Sequence, residues 1–368
     1  MPQSNFNFDI HSIIRQFAIT GHPISLIPTG EGHINDTFLV ETEADDEEDY
    51  ILQRVNHKIF TDVPGLMKNI LRVTEHINLK YNCDPGKYAL QAPRLIPTIA
   101  HQNYHRDESG NYWRCYNYLP HYAPKELTAN QALEGGRAIG KFQAILADLP
   151  GGALHITIPD FHNVKMRLEN LKKVLAQNPA DRASMVEKEL NMILMREEEM
   201  YRIFLLEKAG KIPVRITHND TKFNNLLFNE NGQAISIIDL DTVMNGSVLY
   251  DFGDAVRTLC NTAAEDEADL TKVDFDILLF HHFAHGYLRE THTMLNVTEL
   301  KHLAFSCKLL TYIMAVRFMT DYLAGDVYFK IRHSQHNLDR ARNQLKLLDC
   351  MERDFAKMET TIRKYSTD

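Results

Sequence analysis

Residues 211–243 read KIPVRITHNDTKFNNLLFNENGQAISIIDLDTV, and the organisation of the chain turns on them. Short β-branched or apolar runs at 215–217, 226–228 and 234–238 alternate with clusters of amides and carboxylates, which predicts small strands joined by polar loops. His218, Asn219, Asp220, Asn224, Asn225, Asp239 and Asp241 fall in this stretch, and Asp251 and Asp254 follow it closely. An unpaired buried carboxylate costs several kcal/mol, so carboxylates gathered this way belong to a cleft, to hydrogen-bond donors or to a cation. Oxygen donors without cysteine favour Mg²⁺ over zinc.

Around this island the sequence is helical. Residues 128–146, 160–177, 181–208, 272–291, 297–324 and 333–365 all carry apolar residues at helical spacing. The first third differs. HINDTFLVET (33–42) and YILQRV (50–55) flank an acidic tip, and YWRCYNYLP (112–120) follows a glycine-containing turn at 107–111, which predicts hairpins of one antiparallel sheet. Leu66, Ile70, Val73 and Ile77 predict a helix over 63–81 between them. The expected architecture is α+β in two lobes: a β-rich lobe over 1–119, and a helical lobe over 120–368 that carries the polar loops. A short hinge near Leu119 and Pro120 would leave a ligand cleft between them.

Within the cluster, His218, Asp220 and Asn225 have the spacing H-x-D-x-x-x-x-N, and Asp239 closes the apolar run that follows. This is the catalytic-loop and metal-loop pattern of phosphoryl transfer, in which a carboxylate orients the attacking hydroxyl while an amide and a second carboxylate hold a metal on the phosphates. Gly30 and Gly32 add a weaker signal, since glycine lets a backbone approach phosphate closely but also makes plain hairpin turns.

THNDTKFNNLLF (217–228), IIDLDT (237–242) and YDFGDAVR (250–257), with Asn35, resemble the aminoglycoside phosphotransferase and choline kinase group, whose fold is bilobal and protein-kinase-like. GEGHIN (30–35), YILQRVN (50–56), IIDLDTVMNGS (237–247), RFMTDYLAGDVYF (317–329) and HNLDRARNQLKL (336–347) resemble the N-acetylhexosamine 1-kinases within that group, from about Phe17 to Leu348. The resemblance implies ATP-dependent, Mg²⁺-assisted phosphorylation of the anomeric hydroxyl of N-acetylglucosamine or N-acetylgalactosamine. It implies Asp220 as catalytic base and Asn225 and Asp239 as metal ligands. Gly30, Gly32, His33 and Asn35 would lie over the nucleotide phosphates, Leu26 and Val40 against adenine, and the backbone of Tyr118 and Leu119 at its edge. Asp220, Arg317 and Tyr328 would meet the sugar. His218 is expected to support the loop, Asp241 to reach the metal or cap the next turn, Asp251 to brace the catalytic loop, and Arg257 to pair with Asp254. One departure stands out: where many kinases place a lysine on the third strand, YILQRV offers Gln53, with Arg54 on the opposite face.

The chain has 368 residues, 44% hydrophobic and 24% charged, a composition that excludes collagenous and disordered classes. Its net charge of −9 gives no general attraction to nucleic acid or anionic membrane. Much of that charge lies between Glu41 and Asp49, read as a solvated hairpin tip. Five widely spaced cysteines make neither a zinc site nor a disulfide frame. The polar N-terminus lacks a signal-peptide core and no apolar run reads as a membrane span, so a cytoplasmic protein is expected. Two rival readings remain at this level. IIDLDT also fits the DxDxT opening of haloacid-dehalogenase-like phosphatases, which calls for an alternating α/β half-domain after it, and Gln53 admits a non-catalytic sugar or nucleotide sensor. His281 and His285 stand one helical turn apart without a third ligand, and helix packing accounts for them better than zinc.

Overall fold

The computed structural model describes residues 9–29, 34–43, 48–122 and 127–366. The first lobe begins with α1 (Ile10–Ile14), capped by Asp9. Strands β1 (Pro23–Pro28), β2 (Asp36–Thr42) and β3 (Tyr50–Val55) follow, then α2 (Val63–Cys83), the single turn α3 (Pro85–Tyr88), the short β4 (Leu95–Ile96) and β5 (His105–Arg106), and β6 (Tyr112–Asn117). They form one antiparallel sheet in the order β1-β2-β3-β6-β4, with β5 also on β6. Strand periodicity divides its side chains between two faces. Phe38, Val40, Tyr50, Leu52, Trp113 and Cys115 form a buried outer core with Ile13, Ile14 and Phe17. The cross-strand pairs Thr37, Gln53 and Arg114, and Leu39, Ile51 and Tyr116, lie on the inner face toward the second lobe.

The acidic tip joins β2 to β3 as expected. Asp49 caps Thr42 N at 3.0 Å and Glu48 pairs with Arg94, while Asp45, Asp46 and Glu47 lie outside the described residues. Helix α2 starts where Asp62 accepts from Gly65 N and Pro64 occupies the first turn. Its buried Asn69 ties the two lobes together. Nδ2 donates to His155 O at 2.8 Å and to Val243 O at 3.2 Å, while Oδ1 accepts from His155 N at 2.9 Å.

The second lobe contains α4 (Ala129–Leu146), α5 (Val164–Gln177), α6 (Glu187–Leu194), α7 (Glu197–Met200) and α8 (Arg202–Lys208). The strands β7 (Arg215–Thr217), β8 (Leu226–Phe228), β9 (Ala234–Ile237) and β10 (Met244–Gly246) come next, then α9 (Val248–Leu259), α10 (Ile277–Thr291), α11 (Val297–Ala324) and α12 (His336–Tyr365). Capping boxes fix the starts of α4 (Thr128 with Gln131) and α11 (Asn296 with Glu299), and Gly325 at φ 92° ends α11.

Three expectations need correction. The single helix over 181–208 is several shorter pieces, because its charges are drawn to neighbouring helices rather than along its own face: Arg196 bonds Asp349 and Glu352, Glu199 bonds Lys308, and Glu189 bonds Arg342. Residues 248–259 are helical although no helix was expected there. Gly253 suits that helix because α9 crosses α11 so closely that a Cβ would stand 2.4 Å from Ser306 O. Third, α11 is long and apolar enough by composition to cross a membrane, but 89% of its most apolar window is buried inside the protein as a core helix. The phosphatase alternative fails on topology, since the run ending at Asp239 is half of the antiparallel β8–β9 hairpin and helices follow it. His281 bonds the Tyr365 hydroxyl at 2.6 Å and His285 stacks on the same ring, so both serve the packing of α10 on α12.

Candidate active site

Two small antiparallel pairs frame the site. β7 pairs with β10, and β8 with β9, so the loop 218–225 and the turn 239–242 emerge side by side. His218 Nε2 bonds Ile238 O at 3.0 Å, Ile238 N bonds Asn225 O at 2.9 Å, and Thr242 Oγ1 donates to His218 O at 2.7 Å. Asn219 and Asp239 both adopt left-handed backbone, with φ 64° and 63°, a conformation that Asn and Asp tolerate best among side-chain-bearing residues. The amide of Asn219 secures its turn by donating to Thr217 O and Thr242 O.

Behind the loop stands Asp251, fully buried on α9. It accepts from His218 N at 3.0 Å, Asn219 N at 2.7 Å and Gln143 Nε2 at 2.9 Å, and Gln143 is held by the Tyr287 hydroxyl at 2.6 Å. Burial pushes the Asp251 carboxyl up, against the pull of His218 and these donors. The expected brace is therefore present, and it reaches through α4 to α10.

In front of the brace, Asp220 faces the cleft with Lys222 Nζ 3.1 Å from its carboxylate. Burial raises the Asp220 carboxyl, but Lys222 and His218 outweigh it and hold the group below the usual range. Lys222 is a residue of this site that the sequence reading did not single out. Its signal was a cation two residues after the motif aspartate. Asn225 Nδ2 donates to Asp220 O at 2.8 Å, which leaves its carbonyl oxygen for a cation. The Asp239 side chain is open to the cleft, and partial desolvation together with Asp241 and Asp220 pushes its carboxyl up to about 6. Among the described residues no three His, Cys, Asp or Glu side chains form a metal cage. One carboxylate and one amide oxygen are nevertheless the donor set that Mg²⁺ uses when phosphates and water complete its shell.

The inner face of the sheet supplies a second feature absent from the sequence reading. Gln53 does face the second lobe, and Arg54 lies on the opposite face as expected, where it pairs with Asp36. Arg114, 1% exposed on the adjacent strand, bonds Gln53 Oε1 through Nε at 3.0 Å and pairs with Asp241 through Nη1. Asn35 Nδ2 donates to the other Asp241 oxygen at 2.7 Å. Burial works against the Arg114 charge, but Asp241 outweighs it and holds the guanidinium firmly protonated.

Other expected nucleotide residues are placed differently. Leu26 and Val40 pair with each other on the outer face, against Phe38 and Trp113, and do not face the cleft. A strand reverses its facing at every residue, so an error of one position changes the face; Leu39 and Ile51 are on the inner side, in register with Ile27 and Tyr116. Tyr118 N donates to Asp49 O at 2.7 Å, so the edge left by Tyr118 and Leu119 is the Tyr118 carbonyl and the Leu119 amide. Gly30, Gly32 and His33 lie outside the described residues.

At the far end of the loop, His162 Nε2 bonds Asn219 O at 2.8 Å, and its ring packs on Phe161 and Tyr250. Burial drives His162 down to about 3, so it is neutral. The Arg317 guanidinium lies over Phe161, Tyr328 and Phe329 at 5.4–5.8 Å, and Asp321 holds the amides of Val327, Tyr328 and Phe329. Arg317 and Tyr328 are thus brought together near the catalytic loop. Arg167 joins them, bonded to Phe161 O at 2.8 Å and lowered to about 10 by burial and by Arg317. Neither guanidinium forms an ion pair with a carboxylate among the described residues, although Asp160 is near enough to favour the Arg167 charge. Arg257, in contrast, pairs with Asp254 and Glu265 as expected for a structural cation.

Residues 25–287 match the sequence profile of the Phosphotransferase enzyme family. Among solved structures the chain is similar to an aminoglycoside phosphotransferase from Alicyclobacillus acidocaldarius, with TM-score 0.63, 10% identity and 98% of each chain covered. It is also similar to the amicoumacin kinase hAmiN in complex with AMP-PNP, Ca²⁺ and Ami, with TM-score 0.56, 13% identity and coverage of 89% of this chain and 90% of that one. A spectinomycin phosphotransferase in complex with ADP and spectinomycin gives TM-score 0.52, 12% identity and coverage of 91% and 95%. At these identities the structural likeness establishes the fold, an antiparallel-sheet lobe on a helical lobe.

Proposed function

The chain belongs to the phosphotransferase enzyme family, and on that footing we propose that it transfers the γ-phosphoryl group of ATP to the 1-hydroxyl of an N-acetylhexosamine, N-acetylglucosamine or N-acetylgalactosamine. The observation that carries the transfer is the joint of the two loops, where Asp220, Lys222, Asn225 and Asp239 meet over the Asp251 brace. Asp220 orients the sugar hydroxyl and takes its proton as the phosphorus–oxygen bond forms and ADP leaves. Lys222 supports charge at that point. Asn225 and Asp239 would hold Mg²⁺, which would supply neutralisation of the phosphate oxygens. Gly30, Gly32 and His33 are assigned to the phosphates in this reading, Leu39 and Ile51 take the role of adenine wall, the Tyr118 carbonyl and Leu119 amide meet the base, and Asn35 serves through its bonds to Asp241 and Asn56 N and not by touching phosphate.

The acceptor choice is supported by Arg317, Tyr328 and Arg167. Two guanidiniums without a carboxylate ion pair among the described residues suit hydroxyl and carbonyl oxygens and disfavour the ammonium groups of an aminoglycoside. Phosphate NMR of the protein with Mg–ATP and a panel of hexoses, N-acetylhexosamines, choline and an aminoglycoside tests both parts. An anomeric phosphate ester formed only with N-acetylhexosamines is the expected result, and faster turnover of the aminoglycoside would overturn the acceptor assignment. Arg317→Ala should raise the sugar KM at least tenfold and the ATP KM far less. Equal changes in both would remove Arg317 from the sugar site.

The acidity of the metal loop gives a pH dependence. Mg²⁺ needs Asp239 deprotonated, and its carboxyl sits near 6, so apparent Mg²⁺ affinity in the presence of AMP-PNP should fall as pH drops from 7 to 5, approaching tenfold per unit below 6. Calorimetric titration at several pH values reads this directly. A flat profile would mean that Asp239 is not a ligand.

A further inference from the structure

Besides the Asn69 tie, the two lobes meet at the Asp241 side chain. Asp241 lies two residues beyond Asp239, in the 3-10 turn Leu240–Thr242, and is 2% exposed. One of its oxygens takes Arg114 from β6, and the other takes Asn35, which precedes β2. Asn35 Oδ1 in turn accepts from Asn56 N at 3.0 Å, just after β3, and Asn56 Nδ2 donates to Ile34 O at 3.3 Å. Arg114 is tied sideways to Gln53, whose amide donates to Thr37 Oγ1 at 3.0 Å. Three strands of the first lobe therefore converge on a single carboxylate of the metal turn. A buried pair such as Arg114 and Asp241 stays paired, because separating it strands a charge out of water. Asp239, by contrast, points into the open cleft.

We propose that Arg114, Asp241 and Asn35 form an interlobe clasp that fixes β2, β3 and β6 of the first lobe against the metal turn, with Asp241 acting as a positioning residue and not as a metal ligand. The proposal rests on the phosphotransferase reading and concerns how its nucleotide end is held.

The test is calorimetry with Mg–AMP-PNP, which reads binding without turnover, on the full chain and on Arg114→Met, Asn35→Ala and their double variant. Arg114→Met should weaken AMP-PNP by about 30-fold or more and Asn35→Ala by about tenfold, with the double variant little worse than Arg114→Met because both act through Asp241. N-acetylhexosamine affinity should stay within about threefold of wild type. In a separate Mg²⁺ titration at saturating AMP-PNP, Asp241→Asn should retain the Mg²⁺ affinity that Asp239→Ala loses. Asn35, partly exposed, and Arg114→Lys keep the test available should Arg114→Met fail to fold. Multiplicative effects in the double variant, wild-type AMP-PNP affinity in folded single variants, or equal loss of Mg²⁺ affinity in Asp241→Asn and Asp239→Ala would each overturn the clasp. A wild-type protein that bound no AMP-PNP under any metal condition would instead overturn the phosphotransferase reading.

Discussion

Asp220→Asn lowers kcat by about 10²–10⁴ and leaves Mg–AMP-PNP affinity within a few-fold of wild type. The expectation follows from what the substitution preserves. Asparagine has the same shape, its carbonyl can still meet Lys222, and the backbone carbonyl of residue 220 still holds Asn225. Only the ability to accept a proton is removed, and with it the negative charge that orients the acceptor hydroxyl. Binding of the nucleotide depends on other groups, so the loss should appear in kcat. Steady-state kinetics with an N-acetylhexosamine and calorimetry with AMP-PNP separate the two. A kcat within threefold of wild type would take Asp220 out of the mechanism.

A second large effect belongs to a residue that touches no substrate. Asp251→Ala strands two backbone N–H groups, from His218 and Asn219, and the amide of Gln143, all in a site closed to water. Each buried donor left unpaired costs about 1–3 kcal/mol, and relief of the buried carboxylate offsets part of this, so a net loss of roughly 3 kcal/mol is expected. The catalytic loop loosens at the same time, because Asn219 holds its left-handed turn partly through that bond. Urea denaturation should show a lower midpoint, and kcat should fall by more than the unfolded fraction explains. An unchanged midpoint would show that water or Gln143 replaces the carboxylate without cost.

How far the sequence could be read depended on how local each determinant is. β3 and β7 fall within the expected bounds, because short apolar runs between polar loops announce themselves residue by residue. The polar loops of the candidate site were visible for the same reason, since Asp220, Asn225 and Asp239 sit within twenty residues of each other. β1, PISLIP, escaped because its terminal prolines resemble loop signals. Leu26 and Val40 were put on the wrong face because alternation gives a period but not its phase. Arg114 escaped because its meaning is a partner 127 positions away, and nothing in YWRCYN hints at Asp241. The segment 181–208 reads as one helix until the helices that claim its charges are known.

Asn69 carries a consequence for control of the molecule. Its three buried hydrogen bonds fasten α2 to the 155 backbone and to the exit of the metal turn. Swinging this helix outward would forfeit all three, at about 1–3 kcal/mol for each group left unpaired. An on-off switch built on helix rotation needs two states of similar energy, and this attachment separates them. The Asn69 attachment therefore opposes any control that works by rotating α2 away from the second lobe.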